Sequence, residues 1–211
     1  MIDRKAFILA NTELLSPPLV PEVKLHLAHK AVRIWQKTEE ELGEMGLPPP
    51  FWAFAWAGGQ ALARHVLDNP YIVKGKRVLD LASGSGMVGI AAKKAGAASV
   101  LAADIDDFAI AAIAINADAN DVTLESTAKN LLVAAPVACD VILVGDLFYE
   151  KALAASCLAF LQSAKAEVLI GDPGRSYLPK EMLIKRATYS VPVSRELEDS
   201  EIKQTAVWAL A

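Results

Sequence analysis

Val78-Leu79-Asp80-Leu81-Ala82-Ser83-Gly84-Ser85-Gly86-Met87-Val88-Gly89-Ile90-Ala91-Ala92 is the stretch on which the fold turns. A β-prone run, Arg77 to Leu81, meets a turn of small residues. The turn opens into an apolar helix that stops near Gly96. A strand, a tight loop and a helix N-terminus leave unpaired amides at the positive end of a helix dipole, which favours a polar or anionic ligand. Glycine in the turn lets that ligand approach the backbone, because no Cβ stands in the way. The stretch predicts a cofactor site.

Gly84-x-Gly86-x-x-Gly89 formally fits the dinucleotide fingerprint. Alone, that spacing is weak in a chain rich in alanine and glycine. Asp80 lies on the strand just before the turn. A carboxylate there repels a pyrophosphate and suits a cofactor that carries an ammonium group, as S-adenosylmethionine does. Asp104 ends the next β-prone run, Ser99 to Ala103. An acid at that point bonds a ribose diol in either cofactor type, so it supports a nucleoside without choosing one.

With 211 residues the chain predicts one domain, a lead over 1–50 and a cofactor-binding core over 51–211. Hydrophobic residues make up 54%, enough for a sizeable core. The formal net charge is −4 and no basic tract appears, which argues against a nucleic-acid partner. Cys139 and Cys157 sit in apolar company and predict buried free thiols, not a disulfide framework. The apolar run Ala6 to Ala10 is too short for a signal-peptide core, and no run approaches a membrane span. The expectation is a soluble, cytoplasmic protein. Its oligomeric state does not follow from these features.

Working outward from the glycine turn, residues 2–15 read as a short helix or extended lead. Apolar Val23, Leu27, Ile34 and Leu42 predict a helix from Glu22 to about Leu42. His26 and His29 lie one turn apart on it, but no third metal ligand stands out, so they read as packing or surface histidines and no metal is predicted. A loop runs from Gly43 to Pro50. Phe51-Trp52-Ala53-Phe54-Ala55-Trp56-Ala57-Gly58-Gly59 crowds four aromatics into six positions. It is either a hydrophobic plug or a flat wall beside the cofactor, with Gly58 and Gly59 allowing close approach. Gln60 to Leu67 is a predicted helix.

Asp106 and Asp107 precede a helix from Phe108 to about Asn120, and either can cap it. Val122 to Ser126 predicts a third strand and Thr127 to Pro136 a loop. Asp140-Val141-Ile142-Leu143-Val144 predicts a buried parallel fourth strand, ending in Gly145-Asp146-Leu147-Phe148-Tyr149. A helix from Lys151 to about Ala164 leads to a fifth strand, Glu167 to Ile170, and then Gly171-Asp172-Pro173-Gly174-Arg175. A further helix is predicted over Leu178 to Arg186. Thr188 to Val193 and Thr205 to Leu210 predict an antiparallel pair around a charged loop. Alternating strands and helices mean a doubly wound parallel sheet, which binds ligands beyond the carboxyl ends of its strands. Asp80, Ser83 to Gly86, Asp104, Asp146 to Tyr149 and Asp172 to Arg175 all fall at such ends.

Asp80-Leu81-Ala82-Ser83-Gly84-Ser85-Gly86, then Asp104, then Asp146-Leu147-Phe148-Tyr149 resembles the seven-strand S-adenosylmethionine-dependent methyltransferases. Asp146-x-x-Tyr149 with the upstream aromatic tract narrows the resemblance to protein lysine methyltransferases of non-histone targets. Gly145 to Tyr149, Leu169 to Arg175 and Thr205-Ala206-Val207-Trp208 are similar to the lysine methyltransferases of the electron transfer flavoprotein β-subunit. The likeness runs from about Pro50 to the C-terminus. Ala82 departs from it, because many relatives carry glycine there.

The resemblance implies a Rossmann-like seven-strand α/β sheet with helices on both faces and an antiparallel C-terminal hairpin, and the spacing read above puts an N-terminal helical segment before it. It implies methyl transfer from S-adenosylmethionine to lysines of the flavoprotein β-subunit. Asp146 is then the leading catalytic residue. It positions the incoming amine, and the proton acceptor is left open, because a carboxylate also favours the charged amine. Phe148 and Tyr149 line a lysine channel, with core packing the competing role for Phe148. Asp104 binds the ribose, Asp80 sits near the methionine ammonium, and Ser83, Gly84 and Gly86 lie against the methionine portion. Trp56 flanks the cofactor, Gly145 adjoins it, and Asn130 reaches the adenine or is an ordinary loop residue. Asp172 either caps or braces its loop. Arg175 contacts the protein substrate or an acidic neighbour. A nicotinamide-dependent oxidoreductase, a small-molecule methyltransferase and a non-catalytic nucleoside-binding module are the alternatives, since a sheet alone does not choose a substrate.

Overall fold

The computed structural model describes residues 3–28, 49–134, 137–193 and 201–211. Its elements are α1 (Arg4–Asn11), β1 (Glu13–Leu15), β2 (Leu25–Leu27), α2 (Ala57–Asp68), β3 (Arg77–Leu81), α3 (Met87–Lys94), β4 (Ser99–Ala103), α4 (Asp107–Ala119), β5 (Glu125–Thr127), β6 (Val141–Gly145), α5 (Lys151–Ser163), β7 (Glu167–Asp172), β8 (Leu183–Pro192) and β9 (Ile202–Leu210). The main sheet has seven strands in the order β5-β4-β3-β6-β7-β9-β8. β5, β4, β3, β6 and β7 run parallel, and β9 joins β7 and β8 antiparallel.

Period-two alternation builds two cores. Val78, Val141, Leu143 and Leu169 face α2 and α3, with Leu62, Val66 and Ile90. Leu79, Leu81, Ile142, Val144, Val168 and Ile170 face the other way, with Cys157, Phe160 and Leu161 of α5. Both faces being covered, these strands read as nearly continuous apolar runs. Register then levels the strand tips: Leu81 lies beside Ala103 and Val144, and Gly145 beside Gly171. β3 has β4 on one side and β6 on the other, which makes their junction the crossover point where such sheets bind ligands.

Three expectations are corrected. The helix expected from Glu22 begins instead as strand β2, paired antiparallel with β1. Leu25 and Leu27 are buried with His26 between them less so, a strand pattern. Side chains from α4 hold its backbone: Asn116 Oδ1 accepts from His26 N (2.7 Å) and Asn120 Oδ1 from Lys24 N (3.0 Å). The remainder of that expected helix, with His29 and the loop from Gly43, falls within residues 29–48, outside the described residues. The helix expected over Leu178 to Arg186 is a short 3-10 turn, Lys180–Met182, followed by β8. β8 starts five residues earlier than Thr188, with a register shift between Lys185 and Ala187 that blurs the alternation. The third strand is only Glu125–Thr127. The charged loop between β8 and β9 lies largely in 194–200, outside the described residues.

Candidate active site

A cavity of about 460 Å³ opens at the tips of β3, β4 and β6. Asp80, near the end of β3, is buried beneath it. Its Oδ2 accepts from Ser83 Oγ (2.5 Å) and from Gly89 N (2.8 Å). A Cβ on Gly89 would come within 3.0 Å of that oxygen, so this glycine makes room for a carboxylate. Asp104, just past β4, accepts from Gly84 N through Oδ2 (2.8 Å) and from Asp106 N through Oδ1 (3.0 Å). Asp106 in turn caps α4 by accepting from Phe108 N (2.8 Å). The turn is thus tied to the ends of two strands.

Ala82 lies in this turn with φ of 53°. A left-handed conformation strains any residue with a Cβ by roughly 1–2 kcal/mol. Glycine relieves this but also loosens the unfolded chain. Ala82→Gly is therefore expected to raise the unfolding free energy by about 0.5–1 kcal/mol. Urea denaturation checks this, and an unchanged or lower midpoint would contradict the strain.

Of the expected cofactor residues, Trp56, Asp80, Ser83, Gly84, Asp104, Asn130 and Gly145 all line the cavity. Gly86 does not. It caps α3 with φ of 82°, and an added Cβ would sit 3.3 Å from Ile113 Cγ1. The turn into α3 and the close approach to Ile113 both call for glycine here. Asn130 also accepts from Leu132 N (3.1 Å), which shapes its own loop. The aromatic tract is divided between the core and the cavity wall. Trp52 and Phe54 are buried with Ile8 and Phe108, and Trp52 stacks on Phe108 at 6.0 Å. Phe51 is exposed and meets Trp56 and Tyr149 at ring separations of 5.9 and 5.7 Å.

Asp146 follows β6 with φ of 55°, and its carboxylate is fully engaged. Oδ2 accepts from the backbone amides of Gly58 and Gly59, the N-terminus of α2. It caps that helix across the molecule, where the dipole favours negative charge. Oδ1 accepts from Arg175 Nε (3.0 Å) and Nη2 (2.8 Å). Arg175 is thus the acidic neighbour's partner, and its guanidinium also lies 5.8 Å over Trp56. Asp172 braces the same loop, its Oδ1 accepting from Gly174 N (2.6 Å) and Arg175 N (2.7 Å). The sequence leaves the role of Arg175 open because its partner meets it only in the fold. Starting the helix at Gln60 also hid the two amides that hold Asp146.

Phe148 is a correction. It is wholly buried in the core facing α5, so it lines no lysine channel. The left-handed turn at Asp146 resets the alternation, and Tyr149, 45% exposed, reaches the cavity instead.

Burial pushes the Asp80 carboxyl up to about 7, against the bonds from Ser83 and Gly89. It pushes Asp146 up to about 6, against the opposing pull of Arg175 and the Gly58 amide. Asp104 and Asp172 are raised for the same reason. A carboxyl raised above its unfolded value of 3.8 keeps in the fold a proton that the unfolded chain has lost, so stability falls as pH climbs from about 4 to about 7. From pH 6 to pH 8 the part due to Asp80 is about 1 kcal/mol, or about 3 °C in Tm. Asp80→Asn keeps an acceptor for Ser83 and Gly89 and is expected to remove this drop. Thermal unfolding of the ligand-free protein at the two pH values checks it. Equal slopes in variant and parent would refute it.

A family description for ribosomal protein L11 methyltransferases (PrmA) matches residues 61–147. The electron transfer flavoprotein β-subunit lysine methyltransferase of Danio rerio is 38% identical, over 98% of this chain and 83% of its own length. That of Homo sapiens is also 38% identical, over 97% of this chain and 80% of its own. The chain belongs to this lysine methyltransferase family. Solved structures agree in fold. Magnesium protoporphyrin IX methyltransferase from Synechocystis PCC 6803, solved with bound S-adenosylmethionine, has a TM-score of 0.57 at 11% identity, covering 86% of this chain and 97% of that one. Ribosomal protein L11 methylase from Lactobacillus delbrueckii has a TM-score of 0.51 at 21% identity, covering 75% and 80%.

In this lysine methyltransferase the cavity suits a cationic nucleoside. Asp80, Asp104, Asp106 and Asp146 line it, against Lys129 and Arg175. A sulfonium and an ammonium fit such a lining, and a pyrophosphate does not. S-adenosylmethionine is therefore the cofactor that the residues present can hold.

Proposed function

We propose that this chain transfers methyl groups from S-adenosylmethionine to lysine side chains of the electron transfer flavoprotein β-subunit. The observation that carries this reading is 38% identity along 98% of the chain to a methyltransferase named for that acceptor. The cofactor, when bound, supplies an activated methyl group on a sulfonium. Asp104 holds the ribose hydroxyls and Asp80 faces the methionine ammonium. Ser83 and Gly84 lie against the methionine portion, while Trp56, Gly145 and Asn130 complete the nucleoside's surroundings. Asp146 positions the acceptor amine, and Tyr149 lines its approach with Phe51. A lysine of pKa ~10.4 in water must lose a proton before it can attack. A low-polarity channel favours that loss.

Tritiated S-adenosylmethionine, incubated with the enzyme and purified flavoprotein, tests the acceptor. Label on lysines of the β-subunit is expected. Label confined to other proteins of a cell extract would overturn the acceptor and leave the reaction class standing. Asp104→Ala is expected to lower S-adenosylmethionine affinity by about 10–100-fold, the worth of a hydrogen bond to a charged group. Calorimetry reads this, and undiminished affinity would remove Asp104 from the ribose.

A further inference from the structure

We infer that Arg175 is a positioning residue that makes Asp146 one half of a neutral ion pair, so that the acceptor amine meets this pair and not a bare carboxylate. The inference rests on the lysine-transfer reading above and settles a conflict within it. An unpaired carboxylate beside the reacting nitrogen would stabilise the ammonium, which has no lone pair with which to attack. A carboxylate held by a guanidinium still orients an N–H donor, but most of its net field is cancelled.

The geometry carries this. Arg175 closes on Asp146 Oδ1 with two donors, and the two side chains are 23% and 9% exposed. The other carboxylate oxygen is taken by Gly58 and Gly59. The guanidinium does not wander to this position on a loose loop. Gly174 turns the chain with φ of 98°, and Asp172, 1% exposed at the end of β7, fixes the amides of Gly174 and Arg175. Trp56 then backs the guanidinium. Among the described residues, the charged groups that act on Asp146 are Arg175 and Asp172 of β7, and Tyr149 lines the same cavity. α2 offers backbone amides alone at this point. Asp80 and Asp104 line the same cavity from β3 and β4. In this acidic setting the pairing of Asp146 with a fixed cation keeps one more negative charge from the amine.

The test is the pH dependence of kcat for methyl transfer at saturating S-adenosylmethionine and acceptor, which reports groups in the bound complex, in the parent, Arg175→Gln and Arg175→Lys. In Arg175→Gln the acid limb is expected to move up by about one pH unit or more, the effect of an unpaired carboxylate on a neighbouring amine. KM for the acceptor should fall while kcat drops. Arg175→Lys keeps a cation and should hold the profile near that of the parent. A second readout needs neither turnover nor a variant. The acceptor protein, carrying ¹³C-lysine and bound to the parent enzyme with S-adenosylhomocysteine, is titrated by NMR. The target amine should titrate below its value in the free protein. A kcat loss in Arg175→Gln with an unmoved acid limb would overturn the inference, as would a bound amine titrating at or above its free value. If the parent labels a protein other than the flavoprotein β-subunit, the acceptor assignment fails, and these measurements are made on the protein that takes the label.

Discussion

Gly58→Ala is expected to destabilise the protein by more than about 3 kcal/mol, the scale of the worst packing errors. Helix propensity alone points the other way, since glycine inside a helix is worse than alanine by about 1 kcal/mol. Packing reverses the sign. A Cβ on Gly58 would collide with the Gly171 carbonyl oxygen, would stand 2.5 Å from Asp146 Oδ2 and 2.8 Å from the Gly171 carbonyl carbon. The first two are a backbone atom of β7 and a carboxylate already bound on both sides, so neither can yield. Gly59→Ala is the control. Its Cβ would meet Met87 Cε at 2.9 Å, the far end of a flexible side chain that can move. Urea denaturation of the two variants should separate them widely. A Gly58→Ala variant as stable as the parent would mean that α2 does not lie this close to the sheet. Methylation should fall with the fold, because the same approach brings the α2 amides to Asp146.

What could be read in the chain and what could not divide along the range of the forces involved. β3 and β4 were legible residue by residue, as Arg77–Leu81 and Ser99–Ala103. Buried parallel strands are continuous apolar runs, and an acid at each tip marks where the apolar environment stops. The acids at the tips of β3, β4 and β6 were legible for the same reason. The β1–β2 ribbon was not legible, because its backbone partners are Asn116 and Asn120, some ninety residues further along. The start of β8 is hard to read because the 3-10 turn Lys180–Met182 runs straight into it and the shift between Lys185 and Ala187 breaks its period. Phe148 goes to the core while Tyr149 stays at the cavity because a single left-handed residue, Asp146, turns the side chains that follow it. Arg175 stands out in the sequence, but the identity of its acidic neighbour does not. Its partner lies 29 positions earlier, and no local pattern announces an ion pair made across two strand tips.

Asp146→Asn is expected to lower methyl transfer by about 100-fold or more, because a small misplacement of reacting groups costs that much. The two sides of the carboxylate explain why so slight a change is not tolerated. Both faces are met by donors: Gly58 and Gly59 amides on one, the Arg175 guanidinium on the other. An asparagine has one acceptor oxygen and one NH₂ group. Whichever way the amide turns, its NH₂ confronts a donor. If the oxygen keeps the α2 amides, Arg175 loses its anion and leaves the cavity wall. If the oxygen keeps Arg175, the N-terminus of α2 loses its cap. Breaking a buried pair from one side costs about 3–5 kcal/mol, so the melting temperature should also fall. The polar contacts expected for the cofactor, from Asp80, Ser83, Gly84 and Asp104, lie on β3, β4 and their loops, so S-adenosylmethionine affinity of the folded variant should change by no more than a few-fold. Calorimetry and radiolabel transfer below the variant's melting point separate the two effects. Turnover equal to the parent would show that the amine is oriented by something other than the tip of β6. A matching loss of cofactor affinity would move Asp146 from the acceptor's side of the cavity to the nucleoside's.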